Sequence, residues 1–485
     1  MRSVRCLAAC TALLAGCTVG PDFHPPAASQ DAPSSWGTQR TDVASRTDPA
    51  PLDPHWWNSF GDPLLSSLVA RVATQNLDLQ AAAERVLQGR AEREVAASQG
   101  LPHIDERSFY QRRRDSLRGD PISLVTPAPG APVEFDVFQN GLSSSWELDL
   151  FGRVRRRVEA ANADTQAAIE DRRGIALAAI ADLAQDYLQL RGVQAQRVIA
   201  EGSLALARQD VALVDRRIAD GVATTLDRAQ AAAQQATVAA TLSPLRTQEV
   251  ALINAIGLLL GEPPRAMEAE LRAPAAQPGV PPVVPIGLPA TLVRRRPDVR
   301  QAEARLHAAT AQTGVAVAEF YPDVTLTGDF GLQGLRLKDA FSLYARQFQV
   351  GPSVSIPIFQ GGRLRGTLRL RQSQQREAAI VFRRTLLQAW QEVDNALTAY
   401  AEAQQRRTQV ADAAAQNAMA LQVARQRYAS GVVDFLNVNS SQAQLLQSRN
   451  SLASSDTQIA ANLVTLYRAL GGGWEIADTT GPSRP

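Results

Sequence analysis

Enzymatic chemistry needs a nucleophile, a base or metal ligands brought to one place, and this 485-residue chain offers few candidates. Its four histidines, His24, His55, His103 and His307, are scattered, and no pair has the spacing of ligands on one helix face. The stretches FGLQG (330–334) and FQGGR (359–363) carry glycines, but neither leads into the Lys-Ser/Thr of a phosphate loop. Acidic residues are plentiful, yet they fall in long helical patterns, where they read as solvated faces. The expectation is therefore no enzyme, no metal site and no dissociable cofactor. One side chain does read as chemically modified. Cysteine occurs only at Cys6, Cys10 and Cys17, all at the start of the chain. Arg2 and Arg5 form a positive n-region, and Leu7 to Ala15 an apolar segment of signal-peptide length, too short for the roughly 20 residues of a membrane helix. Leu14-Ala15-Gly16-Cys17 then matches a bacterial lipobox, so the Cys17 thiol is expected to carry a covalent lipid; several acyl chains anchor stably where one is marginal. The alternative is an ordinary signal peptide with an incidental cysteine. Thr18, in place of an aspartate, points to sorting to the outer membrane.

Without Arg2 and Arg5, the 50 Lys+Arg fall to 48, equal to the 48 Asp+Glu. A neutral chain without a basic block gives no reason to expect nucleic acid. A lone Cys17 closes no disulfide within the chain. Val250 to Leu260 is the best apolar run and is too short to cross a bilayer as a helix. Any crossing must use strands, or lipid alone.

The elements that must position these residues come in two copies. LDLQAAAERVLQGRAEREVAASQGLP (77–102) aligns with PDVRQAEARLHAATAQTGVAVAEFYP (297–322), placing Pro102 over Pro322. ELDLFGR (147–153) corresponds to IPIFQGGR (356–363) with one residue inserted. RRIADGVATTLDRAQAA (216–232) aligns with QRYASGVVDFLNVNSSQ (426–442), which superposes Gly221 on Gly431 and Leu226 on Leu436. The echoes keep the same order in both halves.

Each copy begins with a helix, predicted over about 63–99 and about 288–318, and stopped near a proline. Strand-like stretches follow: VFQNGLSSSWELDLF, DVTLTGDFGLQ and FQVGPSVSIPIF show β-branched and aromatic enrichment with period-two alternation. In copy one the strands are separated by the Pro-rich RGDPISLVTPAPGAP, of loop composition. Strands of about ten residues can cross a bilayer when tilted, and they also suit a soluble hairpin. Proline-free helical runs over 154–219 and 364–429 come next, about 100 Å each at 1.5 Å per residue. Within them Leu204, Ala207, Val211, Val214 and Ile218, and likewise Ile180, Leu183, Tyr187 and Leu190, step by three and four, the spacing of a coiled coil. Gly221 and Gly431 cap these rods, and the chain returns as a helix over about 225–260 and 435–470.

Four strands per chain cannot close a barrel, and an open edge cannot lie in lipid. Membrane-crossing strands would have to be shared between chains. Three chains supply twelve strands, an even number within the range of outer-membrane barrels. The expected fold is thus α+β: a transmembrane β-barrel built by three chains, continued by a long α-helical coiled-coil barrel, with internal duplication.

CTVGPDFHPP (17–26), WWNSFGDPLLSSL (56–68), LLGEPP (259–264), RRPDVRQAEARL (295–306) and YASGVVDFLNV (428–438) resemble the TolC-type outer membrane factors, in the lipoprotein branch that includes OprM and NodT. The resemblance implies a homotrimer with a twelve-stranded barrel in the outer membrane and a helical barrel in the periplasm. It implies a passive exit duct of a tripartite efflux system. The partners it implies are a periplasmic adaptor (membrane fusion) protein and an inner-membrane transporter, commonly of the resistance-nodulation-division type. The organisation that follows is a signal peptide (1–16), a lipid-anchored extended arm (17–55), repeat one (56–262), a Pro-rich equatorial linker (263–287), repeat two (288–473) and a tail (474–485). The resemblance places the gate at the periplasmic tip, near Gly221 and Gly431. There Leu436 matches a narrowing leucine, with Leu226 its counterpart in the first copy. Arg427 matches a tip arginine and Asp227 a tip aspartate. Ser440 stands where close relatives carry a lumen-facing aspartate, a departure that puts their cation preference in doubt; Asp434 is a substitute only if it faces the axis. The rival readings are a periplasmic coiled-coil structural or adaptor lipoprotein with no barrel, and a duct for secreted protein.

Overall fold

The computed structural model describes residues 18–26, 32–37, 43–114 and 134–479. Repeat one runs α1 (Pro63–Gln75), α2 (Leu77–Ser98), β2 (His103–Arg114), β3 (Glu134–Glu147), α3 (Arg153–Ala219) and α4 (Thr225–Leu259). Repeat two runs α5 (Pro297–Ala318), β5 (Asp323–Gly334), β6 (Arg346–Ser355), α6 (Arg363–Ala429) and α7 (Phe435–Ala469). Corresponding helices have the same length: α2 and α5 have 22 residues, α3 and α6 67, α4 and α7 35. Two short strands, β1 (Arg46–Asp48) and β4 (Val283–Pro285), pair in parallel, so the 263–287 segment is tied back to the N-terminal arm.

The helix expected over 63–99 is two helices, and its counterpart over 288–318 is broken too. Asn76 leaves the helical region with ψ near 125°, and its Oδ1 accepts from the Leu79 amide at 3.0 Å, so it ends α1 and caps α2. In the second copy Arg296 is extended, with ψ of 121°, because it precedes Pro297. The returning helix α4 holds Pro244 in its interior, where a ring clash and a missing amide bend a helix.

The chain divides into two compact units. One comprises the residues up to Pro25 with Leu87–Gln166 and Glu303–Ile380; it holds the sheet, in the order β2-β3-β5-β6, antiparallel throughout. The Pro-rich stretch 118–132 lies outside the described residues.

The other unit comprises Pro26–Val86, Ala167–Ala302 and Val381–Pro485 and carries the main apolar core. The coiled-coil stripe is its seam: Ile180, Leu183, Tyr187 and Leu190 are at most 1% exposed, packed with Trp56, Leu65, Leu68, Val72, Leu397 and Leu463. Trp56 stacks on Tyr467 at 4.9 Å and donates its indole N–H to the Gly472 carbonyl. Asp62 caps α1 through the Leu64 amide and accepts from the Tyr187 hydroxyl at 2.5 Å, which fastens α1 to α3. Burial with that carboxylate contact pushes the Tyr187 phenol up to about 12. The C-terminal turn α8 (Glu475–Thr479) docks through Trp474, whose ring lies 4.6 Å from the Arg173 guanidinium.

Candidate functional site: a two-faced sheet and two capped hairpin turns

In every seam of the sheet an even-numbered residue faces an even-numbered one: Leu142 opposes Glu106 and Phe330, and Phe330 opposes Phe348. Successive side chains in a strand point to opposite faces, so all even residues of the four strands share one face and all odd residues the other. Within the strands the large apolar side chains left exposed are Ile104, Tyr110, Leu142, Trp146, Leu326, Phe330, Phe348, Val350 and Val354, with Phe109 the one odd-numbered exception. The odd face carries Arg107, Gln139, Ser143, Thr327, Asp329 and Gln349. A solvated sheet of a water-soluble protein buries its apolar face; here the apolar face is open and the polar face is the alternative one.

Charges on the even face gather where β2 and β3 meet their connecting loop. Arg114 and Arg112 pair with Glu134 at 3.0 and 3.4 Å, and the Tyr110 hydroxyl donates to Asp136. Glu106 is the even-numbered carboxylate nearer the other end of β2, within 3.3 Å of the Ser108 hydroxyl. The outer edges of β2 and β6 have no strand partner among the described residues.

Where β3 hands over to α3, the N-terminal segment is docked. The Val19 amide donates to the Phe151 carbonyl, and the buried Arg156 guanidinium donates to the Val19 and Gly20 carbonyls and to Asp22 at 2.6 Å. Phe23 stacks on His307 at 4.3 Å. Gly152 has φ of 85°, and a Cβ there would stand 3.0 Å from the Thr18 Cα, so the turn has room only for glycine. Cys17 lies outside the described residues; Thr18, the next in the chain, rests on this turn.

The two helical hairpins turn in the same way. Gly221 (φ 74°) donates to the Ile218 carbonyl, and Val222 to Arg217; Gly431 (φ 75°) donates to Tyr428, and Val432 to Arg427. These are Schellman caps at repeat-equivalent positions. Leu226 and Leu436 stand equivalently just beyond, 63% and 58% exposed. Asp227 forms a capping box with Thr224 at 2.8 and 3.2 Å, so its carboxylate is engaged in starting α4. Asp434 begins α7 with no side-chain cap. Arg427 is exposed, and the exposed Ser440 turns its hydroxyl to the Asn437 carbonyl of its own helix.

Four tip residues escaped the sequence reading. Arg217, the repeat equivalent of Arg427, lies 4.5 Å over the Tyr428 ring and donates to the Tyr428 and Ala429 carbonyls that end α6. Tyr428 is buried, its hydroxyl without a hydrogen-bond partner among the described residues. Asp210 pairs with Arg425, and burial still holds its carboxyl above the usual range. The overlay of Gly221 on Gly431 was the signal that pairs Arg217 with Arg427. Among the described residues no cluster of three His, Cys, Asp or Glu could hold a metal, and no helix is long and apolar enough to cross a membrane.

A duplicated chain whose sheet has one apolar and one polar face, together with long capped helical hairpins, defines an outer-membrane channel subunit. A model of the outer membrane efflux protein family matches residues 68–262 and 288–472, and the chain belongs to that family. It is 30% identical over 464 residues to outer membrane protein OprJ of Pseudomonas aeruginosa, across 95% of this chain and 94% of that protein. It is 33% identical over 478 residues to the toluene efflux pump outer membrane protein TtgF of Pseudomonas putida, across 95% of each. Its fold matches the solved outer-membrane channel OprN with a TM-score of 0.85 at 32% identity, over 95% of this chain and all of that one. The resemblance read from the N-terminal, RRPDVRQAEARL and tip motifs is borne out, as is the outer-membrane location. The chain is the outer-membrane exit component of an efflux system.

Proposed function

We propose that three copies of the chain close one twelve-stranded barrel, through which small molecules leave the cell passively. The observation that carries this reading is the four-stranded sheet itself, with an open apolar face, a polar face and two edges without a strand partner among the described residues. The apolar face meets lipid and the polar face lines water once the edges are closed. The chain holds no nucleotide-binding motif, so the energy comes from partners: a periplasmic adaptor protein and an inner-membrane transporter of the resistance-nodulation-division type. Relatives named for toluene and solvent efflux favour small organic cargo. The Cys17 thiol carries lipid, one residue ahead of the Thr18–Phe23 segment that is docked at the turn of Gly152. The hairpin turns at Gly221 and Gly431 form the gate, with Leu226 and Leu436 narrowing it and Arg427 and Asp227 at its rim.

The test is the mass of the mature protein in mild detergent, by light scattering corrected for bound detergent, for the wild type and Cys17→Ser. A particle of three chains that still needs detergent without its lipid supports the shared barrel. A monomer that becomes soluble on loss of Cys17 overturns it and leaves a tethered coiled-coil protein.

A further inference from the structure

The strands join the helices at one end of the sheet, where His103 follows α2 and Glu147 precedes α3, and are linked to one another at the other end. The two ends differ in charge. At the helix end Arg153 is held by Glu147 and Asp323 at 2.7 and 3.2 Å, and Arg363 by Glu319 at 3.4 Å. At the linked end cations outnumber their partners. Arg112 and Arg114 share the single carboxylate of Glu134, while Arg336, Lys338 and Arg346 have no ion pair among the described residues.

Arg112, Arg114 and Arg346 are even-numbered, so all three stand on the apolar face. Each lies beyond an exposed aromatic ring of its own strand: Tyr110 precedes Arg112 and Arg114 on β2, and Phe348 follows Arg346 on β6. Further along β6 the same face carries only Val350, Pro352 and Val354. The order from the linked end is cation, aromatic, aliphatic. A guanidinium is costly among acyl chains and nearly free where head groups begin, and aromatic rings gather at that boundary.

The β5–β6 connection repeats this chemistry off the strands. It forms two short turns, Asp339–Phe341 and Leu343–Ala345, folded so closely on the end of β5 that a Cβ at Gly334 would stand 2.8 Å from the Ala340 nitrogen. Ala340 is the one buried residue of 335–345, and Leu335, Leu337, Phe341, Leu343 and Tyr344 are each more than half exposed. Arg336 and Lys338 alternate with the two leucines. Apolar side chains held open beside cations, on a turn of fixed shape, make a surface for lipid rather than for water.

We propose that the linked end of the sheet binds phosphorylated lipids of the outer leaflet. Arg336, Lys338 and Arg346 take the lipid phosphates, and the apolar side chains of the β5–β6 turns lie against the acyl chains. An anion met on a face that otherwise touches acyl chains has to belong to the lipid, and a guanidinium fork matches two phosphate oxygens. The inference rests on the reading above, in which the apolar face meets lipid.

The test adds bisphosphorylated lipid A to the delipidated full chain in mild detergent and counts retained lipid by native mass spectrometry. The wild type is compared with a variant combining Arg336→Gln, Lys338→Gln and Arg346→Gln, which breaks no ion pair among the described residues and should keep its thermal midpoint. Retention by the triple variant is expected to be lower by about tenfold or more. Arg107→Gln, on the polar face of β2, should retain lipid as the wild type does. The wild type should hold lipid A stripped of its phosphates about tenfold less well, and an excess of inorganic phosphate should not displace the intact lipid. Unchanged retention by the triple variant, equal retention of the stripped lipid, or displacement by inorganic phosphate each overturns the inference while a particle of three chains stands. A particle of one chain overturns the barrel reading, and this inference with it.

Discussion

Asn76 and Arg296 are repeat equivalents that perform one task with different chemistry. Each sits at the break before the second helix of its copy, and each donates a side-chain hydrogen bond to the carbonyl that ends the returning helix of that copy. The Asn76 amide reaches Leu259 O at 2.9 Å, and the Arg296 guanidinium reaches Ala469 O at 3.0 Å. The last carbonyls of a helix have no partner within it, so both residues satisfy an orphan acceptor and fix where the hairpin closes.

Arg296→Ala is therefore expected to lower stability by about 1–3 kcal/mol, read as a drop in the thermal midpoint. The loss stops short of that for a fully buried ion pair, because Asp298 and Glu392, its carboxylate partners, are 45% and 56% exposed and rehydrate. Asn76→Ala should cost about 1 kcal/mol, the usual value of a lost helix cap, plus whatever the Leu259 carbonyl forfeits. Unchanged midpoints in both variants would show that the two closures are unimportant to stability.

The duplication, the long helices and the glycine turns were legible because proline, glycine and three–four spacing act locally. Gly221, Gly431, Ile180 and Tyr187 stand where those patterns put them. The break at Arg296 is equally local, set by Pro297 beside it, whereas Asn76 carries no proline or glycine: its side chain caps Leu79 and reaches the Leu259 carbonyl far along the chain, which shows only in the fold. Strand β2, HIDERSFYQRRR, carries six charged residues and gave a weak strand signal. Its pattern becomes readable only when its register to β3 shows which residues share a face. At the tip, Leu436 and Ser440 could be singled out from their motif, whereas Arg217 and Tyr428 meet across two hairpins and needed the fold.

The two faces of the sheet should respond differently to charge. Val350→Arg puts a guanidinium on the apolar face, at a cost of about 2–4 kcal/mol if it sits near mid-bilayer, and should sharply reduce the amount of folded protein in the outer membrane. Gln349→Arg, one residue away on the polar face, should leave assembly within twofold of the wild type. Equal loss in both, measured by the yield of heat-resistant oligomer, would mean that neither face meets lipid.

Asp186 lies on α3 one turn after Asp182, and burial, with that neighbouring carboxylate second, pushes its pKa up to about 6. The folded chain holds this proton more tightly than the unfolded chain does. Its ionisation therefore costs nothing below about pH 4, costs progressively more between pH 4 and 6, and costs the full amount above that. Asp186→Asn should raise stability by about 1–2 kcal/mol at pH 7.5, discounted for partial exposure, and by almost nothing at pH 4. Equal stabilisation at both pH values in denaturant melts would refute the assignment.

The hairpin turns make separable predictions for conduction. Leu436 projects from the first turn of α7 with no apolar cover, and Ser440 follows one turn later on the same helix. If three copies meet there, Leu436→Ala widens the passage and should raise single-channel conductance severalfold at unchanged selectivity. Ser440→Asp instead introduces a threefold ring of carboxylates, whose summed field concentrates cations. Its expected signature is a reversal potential in a salt gradient displaced toward the cation value, at nearly unchanged conductance. The Ser440 hydroxyl is occupied by the Asn437 carbonyl of its own helix, so the wild type should show weak selectivity by comparison. Should Ser440→Asp leave the reversal potential where it was, that turn of α7 does not face the conducting axis, and Asp434 becomes the residue to exchange next.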